Sequence, residues 1–178
     1  MSIARGWTGR YFEDFEVGDV YQHRLGRTIS EADNSWFTLL TMNTNQMHFN
    51  AQYAEASTFG RLLVNSGLTL AMVLGMSVAD VSENAIANLG WDDIRLAHPV
   101  FVGDTLWAES LVVAKRESRS RPYAGIVSVK TRGLNQHGDV CLTYRRSVMV
   151  YKRDAPQDKG IFPQANEPLV LDDGGGSQ

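Results

Sequence analysis

Cysteine is almost missing from this chain: Cys141 is the one thiol among 178 residues. A single cysteine excludes an internal disulfide framework and a cysteine-based zinc site, and it fits a reducing cytoplasm. It stands between Val140 and Leu142 in a strand-like segment, where a thiol is more often a small core residue than a nucleophile. Basic charge is scarce as well. A net charge of −3 without any block of lysine or arginine gives no footprint for nucleic acid. Long hydrophobic runs are absent, because the most apolar stretch, Leu68 to Ala79, falls short of the roughly 20 residues a membrane span needs. No apolar run follows Arg5 and Arg10, so the first residues do not read as a signal peptide. No internal repeat is visible. What remains is ordinary for a soluble protein, with 43% apolar and 21% charged residues and enough length for one core without staples.

The densest chemistry lies in Met42-Asn43-Thr44-Asn45-Gln46-Met47-His48-Phe49-Asn50, where amides, a hydroxyl and an imidazole crowd between two helix-like stretches. Ser30 followed by Asp33 opens the first of these, with Ala32, Trp36, Phe37 and Leu40 as its apolar positions. The second is short and alanine-rich, Ala51 to Ser57, with Asn50 at its cap. A polar loop between packed helices can hold reactive side chains in place. It can equally be a plain capping connection.

Upstream, residues 1–16 read as an aromatic, acidic arm, Val17-Gly18-Asp19 as a turn, and Val20 to Ile29 as a strand interrupted by Gly26. Downstream, Val64-Asn65-Ser66-Gly67 leads into a helix that is apolar on every side, and such a helix is expected to be surrounded by protein. Asn65 or Ser66 is its cap. From about Ile86 the pattern becomes strands. Thr105 to Lys115 looks apolar on both faces. Ile126 to Arg132 alternates, with Val127, Val129 and Thr131 on one side. In Val140 to Tyr151, Val140, Leu142, Tyr144, Val148 and Val150 share a face. Helices followed by antiparallel strands predict an α+β arrangement, with the sheet curled around the apolar helix. The domain is expected over 17–151. A polar, glycine-rich, mobile tail is expected over 152–178.

A curled antiparallel sheet around one long helix is the hot-dog fold, and three motifs resemble one family within it. Asn43-Thr44-Asn45-Gln46-Met47-His48 resembles the Asp-x-Asn-Pro-aliphatic-His signature of MaoC-like (R)-specific enoyl-CoA hydratases. Ser66-Gly67 falls where that family has a His-Gly pair opening the central helix. His98-Pro99-Val100-Phe101-Val102-Gly103-Asp104 resembles its Pro-Val-Phe-x-Gly-Asp turn. The Asn-Gln-Met-His run looks more like the mesaconyl- or itaconyl-CoA hydratases than the straight-chain enzymes. The resemblance implies a hydro-lyase acting across the C2–C3 bond of an acyl-CoA thioester, with no metal and no cofactor, in a homodimer or higher homo-oligomer. It also implies roles by position: His48 as acid/base residue, Gly67 N–H as donor to the thioester oxygen, Asn45 as orienting residue, and Ser66 beside them at the helix start.

The match departs from the family where Asn43 stands for the aspartate, Gln46 for the proline and Ser66 for the histidine. An amide can orient water but cannot take its proton. Three explanations stand open: His48 works alone with Asn43 and Asn45 fixing the water, a carboxylate such as Asp33, Asp92 or Asp93 fills the gap, or the site binds thioesters without turning them over. A dicarboxylic substrate would favour a neutral residue at 43 and an arginine for its free carboxylate, for which Arg61 and Arg95 are candidates. Lys115, Arg116, Arg145 and Arg146 are candidates for the CoA phosphates. A thioesterase and a non-catalytic acyl-CoA-binding protein are the alternatives, the first because thioesterases share the fold.

Overall fold

In the computed structural model, residues 6–156 and 162–169 are described. Six antiparallel strands, β1 (Val20–Gln22), β2 (Arg27–Thr28), β3 (Ala85–Leu96), β4 (Thr105–Glu117), β5 (Ala124–Leu134) and β6 (Val140–Tyr151), make one sheet in the order β1-β4-β5-β6-β3, with β2 also on β4. Three helices precede the long strands: α1 (Glu31–Leu40), α2 (Ala51–Glu55) and α3 (Ser66–Met76). A single π-helical turn, Val78–Ser82, follows α3.

The sheet curls over α3. Leu68, Met72 and Val73 of α3 pack with Ile29, Leu106, Ala108, Leu142 and Tyr144 in one core cluster. A second cluster, with Val127, Val129, Val148 and Val150, is closed by Phe12 and Phe15 of the N-terminal arm. Alternation explains which residues face inward: Val127, Val129 and Thr131 of β5 are buried, as are Leu142, Tyr144, Val148 and Val150 of β6. The sheet approaches the helix tightly at Gly133, where a Cβ would lie 2.5 Å from Val73 Cγ2.

Several sequence expectations are corrected. The strand expected over Val20 to Ile29 is two short strands. They part because Gly26 passes beneath the Trp107 indole, leaving no room for a Cβ. β4 is covered on one face only: Leu106, Ala108, Ser110 and Val112 are buried while Trp107 and Leu111 are exposed. Helix α1 has the Ser30–Asp33 capping box but turns the other way round. Trp36 is 79% and Leu40 83% exposed, whereas Asn34 and Thr38 are fully buried. Asn34 faces inward because it serves backbone groups of the loop and of the start of α3, and Thr38 because its hydroxyl accepts from the Asn65 side chain, as described below. Helix α3 is also not fully enclosed, since Ala71 and Gly75 are exposed on its outer side. The mobile tail expected over 152–178 falls partly outside the described residues. Of the part that is described, residues 162–169 are exposed and form no helix or strand.

Candidate active site

The asparagine-rich segment is a set of local amide turns. Asn43 N–H donates to Thr38 O (3.0 Å), and Asn43 Oδ1 accepts from Asn45 N–H (3.0 Å). Asn45 Oδ1 then accepts from Met47 N–H (3.1 Å), capping the 3₁₀ turn Gln46–His48. This delivers His48 to the interior at 7% exposure. His48 Nδ1 lies 2.8 Å from Leu63 O. A carbonyl only accepts, so Nδ1 carries the hydrogen and Nε2 is the basic nitrogen of the neutral ring. Among the described residues Nε2 has no hydrogen-bond partner.

The start of α3 lies close by through a buried amide. Asn34 Nδ2 donates to His48 O (2.7 Å) and Leu63 O (3.0 Å), and Asn34 Oδ1 accepts from Asn65 N–H (2.9 Å). Asn65 is the helix cap. Its Nδ2 donates to Thr38 Oγ1 (3.1 Å), and its Oδ1 accepts from Gly67 N–H (2.8 Å). The donor expected to be open at Gly67 is therefore held by the protein's own cap. Ser66 N–H, in the same exposed turn, has no partner among the described residues. A cavity of about 200 Å³ adjoins this turn, lined by Leu63, Ser66, Thr69, Leu96 and His98 among others.

The structure separates the remaining candidates. Arg61 is exposed, with its guanidinium 3.7 Å from the centre of the Phe101 ring, two residues before the Leu63 carbonyl that holds His48. Arg95 is exposed on the edge strand β3, beside the cavity-lining Leu96. None of the three carboxylates considered for the family aspartate touches His48. Asp33 caps α1 and pairs with Arg27, and hydrogen bonds from Ser30, then from Arg27, hold it below the usual carboxylate range. Asp92 is exposed on β3, and Asp93 pairs with Arg145 at 3.9 Å. Among the phosphate candidates, Lys115 is engaged with Phe15 O and Glu16. Arg146 is 3% exposed and bonded to Asn88 and Ser77. Burial lowers its pKa. Arg116 and Arg145 remain exposed. Cys141 is buried, which pushes its thiol up to about 11 and removes it as a nucleophile.

Sequence reading missed a second polar cluster because its members are far apart in the chain. His23 Nδ1 lies 2.9 Å from Asp80 Oδ2 and its Nε2 2.9 Å from Ser110 Oγ. This Ser-His-Asp sequence of contacts is sealed: Ser110 is fully buried and shares its hydroxyl with Thr131. It offers no nucleophile to a substrate. The groove beside it, about 1040 Å³ along the C-terminal half of α3, contains neither His48 nor Gly67, and neither residue lines the smaller cavity at Ser66. Its size marks it out, but its Arg10 and Asp80 are already paired with each other.

Burial raises the Asp80 pKa, but the hydrogen bonds from His23 and Arg10 outweigh burial and hold it below the usual range. A depressed carboxylate contributes stability above its unfolded pKa of about 4, and loses it as pH falls through the folded value. Asp80→Asn is therefore expected to flatten the decline of the urea midpoint below about pH 4. A wild-type slope in the variant would contradict this.

A curled sheet on one central helix, with an inward histidine beside that helix's first turn, defines a hot-dog domain of the MaoC type. Residues 4–170 match the family model described as Mesaconyl-CoA hydratase, and the chain belongs to that family. It is 38% identical over 173 residues to a mesaconyl-CoA hydratase of Cereibacter sphaeroides, covering 93% of this chain and 50% of that protein. It is 35% identical over 167 residues to a β-methylmalyl-CoA dehydratase of Chloroflexus aurantiacus, covering 93% and 47%. A crystal structure described as a putative MaoC domain protein dehydratase from Chloroflexus aurantiacus superposes with a TM-score of 0.80 at 35% identity, covering 91% of this chain and 46% of that one. The chain thus spans about half the length of the curated relatives it matches.

Proposed function

We propose that this chain adds water to, or removes it from, the C2–C3 bond of an enoyl-CoA thioester, with a branched C5 dicarboxylic acyl group such as mesaconyl-CoA as substrate. The observation that carries the reading is the buried His48, held through Nδ1 on Leu63 O with Nε2 open, next to the first turn of α3. Nε2 takes a proton from water as its oxygen bonds to C3 and the double-bond electrons move onto the thioester, and the imidazolium then returns that proton to C2. The charge that develops on the thioester oxygen meets the N-terminal end of α3. There it competes with Asn65 Oδ1 for Gly67 N–H, while Ser66 N–H is open.

Asn43 places a neutral amide where a second anion would repel the substrate's own carboxylate. Arg61, on the segment that holds His48, is the better-placed partner for that carboxylate, and Arg95 is the other. Arg116 and Arg145 are left for the CoA phosphates. One water supplies both the hydroxyl at C3 and the hydrogen at C2, so the reaction calls for no metal or cofactor. A homodimer through the outer edge of β3, which carries exposed Leu89, Trp91, Ile94 and Leu96, accords with half-length coverage of the relatives. A cytoplasmic location accords with the unpaired Cys141 and a CoA substrate.

The test is a panel of mesaconyl-, itaconyl- and straight-chain enoyl-CoAs, following enoyl absorbance and free thiol. Loss of absorbance without thiol release is expected. Thiol release without hydration would make the protein a thioesterase, and tight binding without turnover would make it a sensor. Asn43→Asp is expected to move preference toward straight-chain substrates by about tenfold, which is roughly 1.4 kcal/mol. Unchanged rates on both classes would remove the charge argument.

A further inference from the structure

Asn34 lies outside all three motifs, yet its side chain joins the end of the first to the start of α3. It is fully buried on α1, and the groups it binds lie 14, 29 and 31 residues away in the chain. One amide meets them all: Nδ2 donates to His48 O and Leu63 O, and Oδ1 accepts from Asn65 N–H. Only a group with two donors and an acceptor at this length can do so. The Leu63 carbonyl also takes the His48 Nδ1 hydrogen, so the group that orients this carbonyl also sets the tautomer. Asn65 in turn caps α3 over Gly67.

We infer that Asn34 is a positioning residue that fixes the imidazole of His48 relative to the first turn of α3. For catalysis this rests on the hydratase reading above. Asn34 touches no reacting atom. It holds the base with Nε2 exposed and keeps the helix start at a set separation from it. Without it His48 O and Asn65 N–H lose their partner and Leu63 O keeps only the His48 Nδ1 hydrogen, which loosens both sides of the site together.

Asn34→Asp has the same shape and keeps an acceptor for Asn65 N–H, but it sets an oxygen against two carbonyl oxygens. For the folded variant, kcat on the preferred enoyl-CoA is expected to fall about 10²-fold, as for a misplaced catalytic group, with KM within about threefold of wild type. Imidazole nitrogen NMR is expected to show one Nδ1–H tautomer for His48 in wild type and a mixture in the variant. A folded variant with wild-type kcat and tautomer, or a loss of stability with kcat per folded molecule unchanged, overturns the inference. If the variant does not fold, wild type still decides it: the Asn34 side-chain NH₂ must exchange slowly with solvent and His48 must hold one tautomer, and rapid exchange overturns the inference. Failure of the hydratase reading looks different. There, wild type hydrates no enoyl-CoA on the panel while the variant still scrambles the tautomer.

Discussion

His48→Gln is expected to lower kcat for enoyl-CoA hydration by about 10³-fold, within the range contributed by a positioned acid–base group. Glutamine can still donate a hydrogen bond to Leu63 O from the buried site, so loop and fold should survive while the proton carrier is lost. The effect should therefore fall on kcat more than on KM. His48 makes its side-chain hydrogen bond to a backbone carbonyl and to no carboxylate, so no neighbouring acid stands ready to replace it. Steady-state kinetics of a variant whose thermal unfolding matches wild type is the check. A loss under about tenfold would mean that the imidazole is a structural residue and that the chemistry lies elsewhere.

Gly133→Val is expected to damage the fold severely. The strand β5 approaches α3 so closely at this residue that even a Cβ would sit 2.5 Å from Val73 Cγ2. Both residues are buried, and Val73 is held in the main core cluster, so neither side can retreat into solvent. Overpacking of this kind costs about 3 kcal/mol, at the upper end of the usual range. In a protein of this size that lowers Tm by about 6–12 °C. Adding Val73→Ala removes the obstructing methyl groups and should recover part of the loss. Thermal unfolding of the two single variants and the double variant reads this directly. Additive losses would mean that the helix and sheet do not meet at this pair.

The residues that could be read correctly from sequence are those whose partners are near in the chain. Ser30 with Asp33, Asn50 with Tyr53 and Asn65 with Gly67 are caps spanning two or three residues, and each is present. The inward rows of β5 and β6 follow from simple alternation, and the three motifs carry the family. The errors have a different origin. The apolar positions of α1 pointed to a buried Trp36 and Leu40, but the tertiary structure turns Asn34 and Thr38 inward because buried polar groups on other segments, backbone for Asn34 and the Asn65 amide for Thr38, need partners. Likewise Arg146, a candidate for the CoA phosphates, is instead enclosed against Asn88 and Ser77.

By itself, then, the sequence determined most of the elements, their caps and their order, since local backbone preferences and short-range hydrogen bonds decide those. Only the tertiary structure decided that Leu63 sets the tautomer of His48 and that Asn34 ties this pair to the start of α3. Those contacts link groups brought close only by the closing of the sheet over α3. Their energy comes from leaving no buried donor or acceptor unmet once water is excluded, a condition no linear pattern of residues encodes.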